Sequence, residues 1–251
     1  MQITETAAII TGGASGLGEA TARHFRLHGA QVTLLDRDTA RGTAVADEIG
    51  ATFAQTDVTD EASVSAAIAT AQAAMGRITA AINCAGIVAG EKTLGRDGPH
   101  SLAAFQRTID INLVGSFNVA RLAAARIAQN DPLPDGTRGV IINTSSIAAF
   151  DGQKGQTAYA ASKGGIYGLS LPMARDLARD GIRVNAIAPG IFLTPMLQGL
   201  PQDVQDSLAQ DVTFPKRLGD PDEFAALARF MVECDYLNGE VIRLDGALRM
   251  R

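Results

Sequence analysis

A tyrosine, a lysine and a serine in the second half of the chain have the types and spacing that proton transfer needs. Tyr159 and Lys163 stand four positions apart in an Ala-, Ser- and Gly-rich segment that is typical of a helix, so both side chains would lie on one face. A phenol has an ordinary pKa of about 10, and a neighbouring ammonium favours the phenolate and lowers that value. Ser146 follows an apolar run at residues 140–144, and a hydroxyl at a strand end can hydrogen-bond a substrate oxygen. We therefore predict a general acid/base site here, although Tyr-x-x-x-Lys alone is also common on ordinary helices.

The element that would bring a cofactor to this site lies near the start of the chain. An apolar run from Ala7 to Thr11 leads into a glycine loop with glycines at 12, 16 and 18, and a helical pattern follows from Glu19 to about His28. Glycines let the backbone approach a ligand closely, and a helix N-terminus offers N–H groups and a positive dipole end to a pyrophosphate. The spacing Gly-x-x-x-Gly-x-Gly departs from the better known Gly-x-Gly-x-x-Gly, and a glycine loop alone is a weak signal.

A carboxylate at the end of the second apolar run indicates which nucleotide would bind. Asp36 follows Val32–Leu35 and stands twenty residues after Gly16, where it could accept hydrogen bonds from the adenosine ribose and repel a 2'-phosphate. This favours NAD over NADP. Arg37 is the counterargument, since a cation there could hold that phosphate, and a solvated charged turn is the remaining alternative.

Strand and helix patterns alternate along the rest of the chain. This order predicts an α/β fold of the Rossmann type, a doubly wound, seven-stranded parallel sheet with helices on both faces and the ligand at the carboxyl ends of the strands. We expect one domain over residues 1–251, with substrate loops at about 87–100 and 191–216. The second loop is apolar and rich in breakers, so it reads equally as a lid over a pocket or as a surface helix. The predicted strands are 7–11, 32–35, 51–55, 79–83, 140–144, 182–188 and 240–244, and the predicted helices include 39–49, 61–75, 101–128, one from 158 toward 180, and 222–233.

Two side chains in this frame leave alternatives open. Asp57, at the end of the third strand, could meet the adenine amino group or could cap a turn or helix. Asn112 lies within the predicted long helix, where a buried amide needs a partner such as a local backbone carbonyl or a water.

Composition excludes several classes of protein. The 251 residues are 46% hydrophobic with a net charge of -5, and neither sign forms long runs, which argues against nucleic acid as the main partner. No apolar run reaches the roughly 18 residues of a membrane span, and the first strand starts close to Met1, so we expect a cytoplasmic protein with a small-molecule substrate. Two cysteines and three scattered histidines have no spacing that resembles a metal site.

Taken together and in order, the motifs resemble the short-chain dehydrogenase/reductase family over the whole chain. They are Thr11–Gly18, Asn83–Gly86, Asn112, Ser146, Tyr159–Lys163 and Pro189–Gly190. Within that family, residues 105–107, 138–144, 214–221 and 237–246 resemble the type II 3-hydroxyacyl-CoA dehydrogenase branch, whose members also oxidise 2-methyl-3-hydroxyacyl-CoA and hydroxysteroids. One departure is Ser145, because that branch tends to have Ala-Ser where this chain has Ser-Ser.

The resemblance implies a role for each matching residue. Tyr159 would be the catalytic base, Lys163 would hold the nicotinamide ribose, Ser146 would polarise the substrate oxygen, and Asn112 would hold a water in a proton relay. Ser146 is preferred to Ser145 because the family places its serine thirteen residues before the tyrosine. Cofactor contacts are implied for Gly12, Ser15, Gly16, Leu17 and Gly18 at the pyrophosphate, Asp36 at the ribose, Asp57 and Val58 at the adenine, Thr194 at the nicotinamide amide, and Asn83, Ala85, Gly86, Pro189 and Gly190 nearby.

The expected activity is interconversion of a secondary alcohol and a ketone with NAD, first of all a 3-hydroxyacyl-CoA and its 3-oxoacyl product. The enzyme alternatives are a 3-oxoacyl-carrier-protein reductase and a hydroxysteroid or polyol dehydrogenase. A noncatalytic nucleotide-binding scaffold is the alternative outside enzymes, and the intact Ser146, Tyr159 and Lys163 argue against it. Homotetramers are usual in the family, so we expect that assembly.

Overall fold

Seven parallel strands form one sheet, as the alternating pattern predicts. The structure is a computed structural model that describes residues 1–199 and 201–250. The strands are β1 Ala7–Thr11, β2 Gln31–Asp36, β3 Thr52–Gln55, β4 Ala80–Asn83, β5 Gly139–Thr144, β6 Ile182–Pro189 and β7 Val241–Leu244, and their order across the sheet is β3-β2-β1-β4-β5-β6-β7. The direction of strand addition reverses between β1 and β4, and this switch point is where a doubly wound sheet opens a crevice for a ligand.

Ten α-helices lie within the described residues, and six of them cover the two faces of the sheet. The ten helices are α1 Gly16–Leu27, α2 Thr39–Ile49, α3 Glu61–Met75, α4 Leu102–Ile109, α5 Gly115–Ile127, α6 Ala148–Asp151, α7 Thr157–Asp176, α8 Pro195–Gln198, α9 Gln202–Gln210 and α10 Pro221–Glu233. Alternate strand residues feed opposite layers, since Ile10 packs in one core cluster with Phe25 and Phe224, whereas Ile9 packs in the other with Val64 and Val119. The sheet therefore lies between α1, α2 and α10 on one face and α3, α5 and α7 on the other. This architecture confirms the predicted fold class.

The ends of several helices are fixed by side chains next to them. Asp38 caps α2, Asp60 caps α3 and Ser101 caps α4, each by accepting a hydrogen bond from a first-turn N–H. Asp220 and Glu223 form a reciprocal capping box at α10. Short polar residues of this kind, directly before a helical pattern, mark the start of a helix in the sequence itself.

Three predicted boundaries were wrong. α1 begins at Gly16 rather than Glu19, so the last two glycines of the loop are already helical. The single helix predicted over 101–128 is α4 and α5 joined by a π-helical segment, Asp110–Val114. α7 ends at Asp176 and a 3-10 turn, Ala178–Asp180, follows it instead of a longer helix. The last two departures occur where backbone hydrogen bonding changes its period, which residue type alone does not reveal.

The two predicted substrate segments differ in structure. Residues 87–100 form a loop without helix or strand that is held by a bridge between Leu94 and Pro99. Residues 191–216 contain α8 and α9, and Leu200 between them is outside the described residues. No helix in residues 1–199 or 201–250 has the length and apolar character needed to cross a membrane.

Candidate active site

The carboxyl ends of the strands surround a cavity of about 640 Å³, a volume in the range of small-molecule and cofactor sites. Most residues that the sequence singled out line it. These are Gly12, Ser15, Gly16, Leu17, Gly18, Asp36, Asp57, Val58, Ala85, Gly86, Ser146, Tyr159, Lys163, Pro189, Gly190 and Thr194. Asn83 and Asn112 are not part of this wall. The fold thus brings together residues that are up to 182 positions apart in the chain, from Gly12 to Thr194.

The glycine loop has a shape that only glycine permits at two positions. Gly12 has a φ of +66°, and a Cβ there would lie 2.9 Å from the backbone nitrogen of Ala85. A Cβ on Gly18 would lie 2.2 Å from the carbonyl oxygen of Gly12. These close approaches bring the first turn of α1 against the loop, so the unpaired N–H groups of that turn face the cavity. Backbone N–H groups beside a positive helix end fit a pyrophosphate.

The two carboxylates at the adenosine end have separate local roles. Asp36 accepts hydrogen bonds from the backbone N–H groups of Ala14 and Asp38, both at 3.0 Å, which holds it at the end of β2 facing the cavity. Asp57 accepts hydrogen bonds from the N–H and the hydroxyl of Thr59, and these hydrogen bonds lower the pKa of the Asp57 carboxyl. The turn predicted as an alternative for Asp57 is therefore present, and the residue also lines the cavity.

Arg37 faces Asp57 in the structure. Its Nε lies 3.6 Å from Asp57 Oδ2, and the side chains of Arg37 and Asp57 are 69% and 39% exposed. The cation that the sequence offered as a phosphate ligand therefore has a carboxylate neighbour, and a second carboxylate, Asp36, precedes it on β2. Two carboxylates and one guanidinium thus lie together at this end of the cavity.

Ser146, Tyr159 and Lys163 meet at the opposite end of the cavity. The Lys163 amine donates a hydrogen bond to the carbonyl oxygen of Thr144 at 2.7 Å and lies 5.8 Å from the centre of the Tyr159 ring. Burial lowers the pKa of Lys163 to about 8. An ammonium with that pKa still carries its proton at neutral pH and stands beside the phenol.

The expected downward shift of the tyrosine pKa is not found. Burial raises the pKa of Tyr159, and the Ser146 hydroxyl opposes this in part by lowering it. The reason is that desolvation of the phenolate outweighs its favourable contacts, while the Lys163 amine is engaged with Thr144. The neutral phenol is thus the favoured form of Tyr159 in this structure and can donate a proton, whereas accepting one requires the phenolate form.

The two neighbouring serines differ in what their hydroxyls do. Ser145 is fully buried and donates a hydrogen bond to the carbonyl oxygen of Lys163 at 2.9 Å, so it anchors α7 to the end of β5. The Ser146 oxygen accepts the N–H of Ala148 at 3.1 Å, which orients the oxygen and leaves its hydroxyl proton to donate. This arrangement supports Ser146 over Ser145 as the residue that meets a substrate.

Asn112 is completely buried in the π-helical segment between α4 and α5. Its side chain exchanges hydrogen bonds with the backbone of Ile87, accepting from the N–H at 2.8 Å and donating to the carbonyl at 2.9 Å. It also donates to Ser162, whose hydroxyl binds the carbonyl oxygen of Tyr159 at 2.7 Å. The buried amide has the partner that the sequence required, but that partner is 25 residues away. Asn112 therefore joins the start of the 87–100 loop to the helix that carries Tyr159.

Asn83 lies behind the cavity wall instead of in it. Its side-chain nitrogen donates to Asn143 at 2.8 Å and to the carbonyl of Ser116 at 3.2 Å, and the residue is 2% exposed. The predicted cofactor contact of Asn83 stays a prediction, although the side chain does not line the cavity. The polar side chain instead ties β4 to β5 and α5, because a strand-end amide buried between elements satisfies their hydrogen bonds.

Sequence reasoning covered some of the other residues that line the cavity and missed others. Val88, Leu197 and Leu208 lie within the two predicted substrate segments, whereas Arg107, Ile111, Gln153, Gln156 and Met250 were not singled out. Gln153 and Gln156 stand between Ser146 and Tyr159, and that position was a usable signal. Met250 carried no signal, because it reaches the cavity only through the folding of the C-terminal segment. The Cys84 thiol lies against the Thr144 hydroxyl, and burial raises its pKa to about 11, so it is not a reactive thiolate.

Comparison with known proteins agrees with this geometry. The family model described as short chain dehydrogenase matches residues 6–205. The 3-hydroxyacyl-CoA dehydrogenase type-2 of Homo sapiens is 54% identical over 248 residues, covering 97% of this chain and 95% of that protein. The protein of the same name from Drosophila melanogaster is 51% identical over 252 residues and covers 99% of both chains. The crystal structure of 3-hydroxyacyl-CoA dehydrogenase type-2 from Mycobacterium avium has a TM-score of 0.93 and 47% identity, covering 97% of this chain and 96% of that one.

Proposed function

Because the chain belongs to the short-chain dehydrogenase family, we propose that it interconverts a 3-hydroxyacyl-CoA and the corresponding 3-oxoacyl-CoA, with NAD as the hydride carrier. It is an oxidoreductase that uses a nicotinamide cofactor on a small-molecule substrate. The observation that carries the proposal is the convergence of Ser146, Tyr159 and Lys163 on the cavity that the glycine loop also lines. The relatives that are 54% and 51% identical over nearly the whole chain bear the name 3-hydroxyacyl-CoA dehydrogenase type-2, which supports this choice among secondary alcohols.

NAD is preferred to NADP on the charges near the adenosine end. Asp36 faces the cavity from the end of β2 with its position fixed by two backbone N–H groups. Arg37 has the Asp57 carboxylate within 3.6 Å, so its charge is partly offset by that neighbour. A 2'-phosphate would meet net repulsion there, whereas ribose hydroxyls would find acceptors.

The protein residues handle the proton and position the reacting atoms. When bound, the nicotinamide ring supplies the hydride chemistry. In the oxidation direction the phenolate form of Tyr159 removes the hydroxyl proton of the substrate, and in the reduction direction the neutral phenol gives its proton to the substrate oxygen. Ser146 donates a hydrogen bond to the same oxygen, and the Lys163 charge stabilises the phenolate form of Tyr159 that starts the oxidation and ends the reduction.

Other predicted roles remain proposals of the same mechanism. Lys163 would also hold the nicotinamide ribose, Thr194 the nicotinamide amide, and Asp57 with Val58 the adenine. Asn112 would support a proton relay through a water. Ser162 links Asn112 to the backbone of Tyr159, so we expect Asn112 to hold α7 in place whether or not it also takes part in a proton relay.

The remaining expectations concern organisation and location. We propose a homotetramer, because helices α5 and α7 expose Phe117, Tyr167 and Leu171 by 47%, 52% and 44%, and packing against other copies would cover such side chains. A cytoplasmic location and a single domain over 1–251 stay predictions. Leu200 and Arg251 of that span are outside the described residues.

The test is a Tyr159→Phe variant assayed beside the wild type on a panel of 3-hydroxyacyl-CoA thioesters, hydroxysteroids and polyols with NAD and with NADP. We expect wild-type turnover with acyl-CoA substrates and NAD, and a loss of at least 1,000-fold in kcat in the variant, since a phenyl ring cannot exchange a proton. NADH binding, followed by fluorescence, should stay nearly unchanged. Near-normal turnover by Tyr159→Phe, or a strong preference for NADPH, would contradict the assignment.

A further inference from the structure

Arg243, on β7, joins three segments at one edge of the sheet. Its Nη2 donates to Asp151 at 2.6 Å and to the carbonyl oxygen of Leu248 at 3.1 Å, and its Nε donates to Asp245 at 2.7 Å. The guanidinium also lies 4.9 Å from the centre of the Phe150 ring. The side chains of Arg243 and Asp151 are 20% and 21% exposed, so this cluster is largely shielded from water.

The segments that Arg243 holds continue into the cavity wall. Asp151 is the last residue of α6, which follows Ser146 almost directly, and the next residues include Gln153 and Gln156, both of which line the cavity. Leu248 is 3% exposed, and Met250, two residues further, also lines the cavity. None of these cavity residues touches Arg243, so its influence on them passes through the chain.

A ring contact extends the cluster to the catalytic helix. Phe150, under the guanidinium, packs edge-on against Tyr167 of α7 with ring centres 5.2 Å apart. α7 carries Tyr159 and Lys163 one to two turns earlier. Arg243 therefore braces β7 against the corner where α6 turns into α7, and it holds the C-terminal segment across the same corner.

We propose that Arg243 is a positioning residue for the substrate-binding half of the cavity, which fixes Gln153, Gln156 and Met250 where they can contact a substrate. This inference rests on the proposed function, because it takes that half of the cavity as the acyl-CoA side. An arginine suits the task, since its planar fork serves two carboxylates and a carbonyl at once while its face covers an aromatic ring. A lysine has the same charge but lacks the planar set of N–H donors of the guanidinium.

The effect of replacing Arg243 should be confined to substrate binding. Gly12–Gly18 and Asp36, the residues proposed for the pyrophosphate and ribose, follow β1 and β2, across the sheet from β7, and Arg243 makes its hydrogen bonds to Asp151, Asp245 and Leu248 instead. Asp245 packs beside Gly190, but Arg249 also binds it, at 3.1 Å, and would keep it in place without Arg243. Replacing Arg243 should thus raise the KM for the substrate and leave the affinity for the cofactor nearly unchanged.

The experiment compares Arg243→Gln, Arg243→Lys and Asp151→Asn with a matched control, Arg249→Gln. Arg249 binds the same Asp245 oxygen and the same Leu248 carbonyl, but it is 59% exposed and has no contact with Asp151. We expect Arg243→Gln to raise the substrate KM at least tenfold while kcat falls less than threefold and the NADH dissociation constant stays within twofold. Arg243→Lys should restore the KM part of the way to the wild-type value, and Asp151→Asn should raise the KM as Arg243→Gln does. The double variant Arg243→Gln/Asp151→Asn should have a KM little higher than that of the single variant with the larger effect. Arg249→Gln should stay within twofold of wild type.

A second measurement does not depend on any substrate. Hydrogen exchange at residues 152–157 and 246–250 should accelerate in Arg243→Gln and not in Arg249→Gln. A KM within twofold of wild type in a folded Arg243→Gln protein, or an equal loss of NADH affinity, overturns the proposal. If Arg243→Gln does not fold, Asp151→Asn decides by the same criteria. Wild-type protein that oxidises steroids or polyols but no acyl-CoA refutes the proposed substrate alone, and the KM comparison is then made on the alcohol that it oxidises.

Discussion

Replacing Lys163 by methionine should stabilise the protein at neutral pH while it removes activity. The pKa of this lysine falls from 10.5 to about 8 on burial, which means that holding the charged amine in the fold costs free energy. At about 1.4 kcal/mol for each pKa unit, the cost is roughly 3 kcal/mol. Methionine has a similar volume and no charge to desolvate. It leaves the Thr144 carbonyl without its 2.7 Å hydrogen bond, a loss of about 1–3 kcal/mol for a buried acceptor. The net expectation at pH 7 is a gain of about 1 kcal/mol, or 2–4 °C in Tm for a chain of this size.

The pH dependence of this gain has a definite sign. Below pH 8 the folded and unfolded chains both carry the Lys163 proton, so the cost is complete and does not vary with pH. Between about pH 8 and 10.5 the unfolded chain binds more protons than the folded one, so the free energy of unfolding of the wild type rises with pH. The methionine variant lacks this rise. Its advantage should therefore shrink above pH 8 and reverse by about pH 10, where only the unpaired carbonyl remains.

Urea unfolding followed by circular dichroism at pH 7.0 and 9.8, at one protein concentration, measures this difference. Lys154→Met is the matched control, because Lys154 is exposed and its replacement should leave the stability within about 0.5 kcal/mol at both pH values. The reasoning is refuted if Lys163→Met is less stable than wild type at pH 7 and the difference does not change with pH. That result would mean that the buried ammonium is stabilised by its surroundings rather than tolerated for function.

Two further changes test the glycine loop and the start of α10. Gly18→Ala would place a Cβ 2.2 Å from the Gly12 carbonyl oxygen, so the loop must move. We expect NADH binding to weaken at least tenfold and the free energy of unfolding to fall by about 1–3 kcal/mol. The control Gly168→Ala, which has open space at its Cβ, should leave NADH titrations unchanged. The Arg217 guanidinium and the Asp220 N–H hold the pKa of Glu223 at about 2, below its usual 4.5. Because the Glu223 side chain is 45% exposed, solvent screening reduces the contribution, and Glu223→Gln should cost about 1 kcal/mol at pH 7. That cost should fade as pH falls from about 4.5 to about 2 in unfolding titrations, since the depressed carboxyl stabilises the fold only when ionised. A cost that stays constant down to pH 2 would assign the effect to packing.

The half of the cavity that we propose for the cofactor could be predicted from sequence because its signals are local. Gly12, Gly16 and Gly18 stand between a strand pattern and a helix pattern, and Asp36 ends the next strand. The structure places all four on the cavity wall. Each needs only its own strand–turn–helix unit to reach that position, so the order of residues along the chain contains the geometry.

Predictions that depended on tertiary surroundings fared worse. The downward pKa shift of Tyr159 was expected because Lys163 would be near, and Lys163 does lie near it. The expectation left out the desolvation of the phenolate on burial, which raises the pKa. Asn112 was expected to bind a local backbone carbonyl or a water, but in the π-helical segment its side chain binds the backbone of Ile87. Asn83 has a pattern position suited to the cofactor, yet Asn143 and Ser116 take its amide. Burial and long-range hydrogen bonding decide all three, and neither follows from spacing.

The substrate half differs from the cofactor half in how it is encoded. Gln153, Leu197, Leu208 and Met250 come from four separate segments, and the contacts that bring them together, such as the one between Arg243 and Asp151, join residues 92 positions apart. No short motif can record such a set, and substitutions in it leave Ser146, Tyr159 and Lys163 untouched. Related chains can therefore keep the same proton chemistry while their alcohol substrates differ. It follows that the acyl-CoA assignment stands or falls on measurements that perturb this half, and that variants of the catalytic residues alone do not test it.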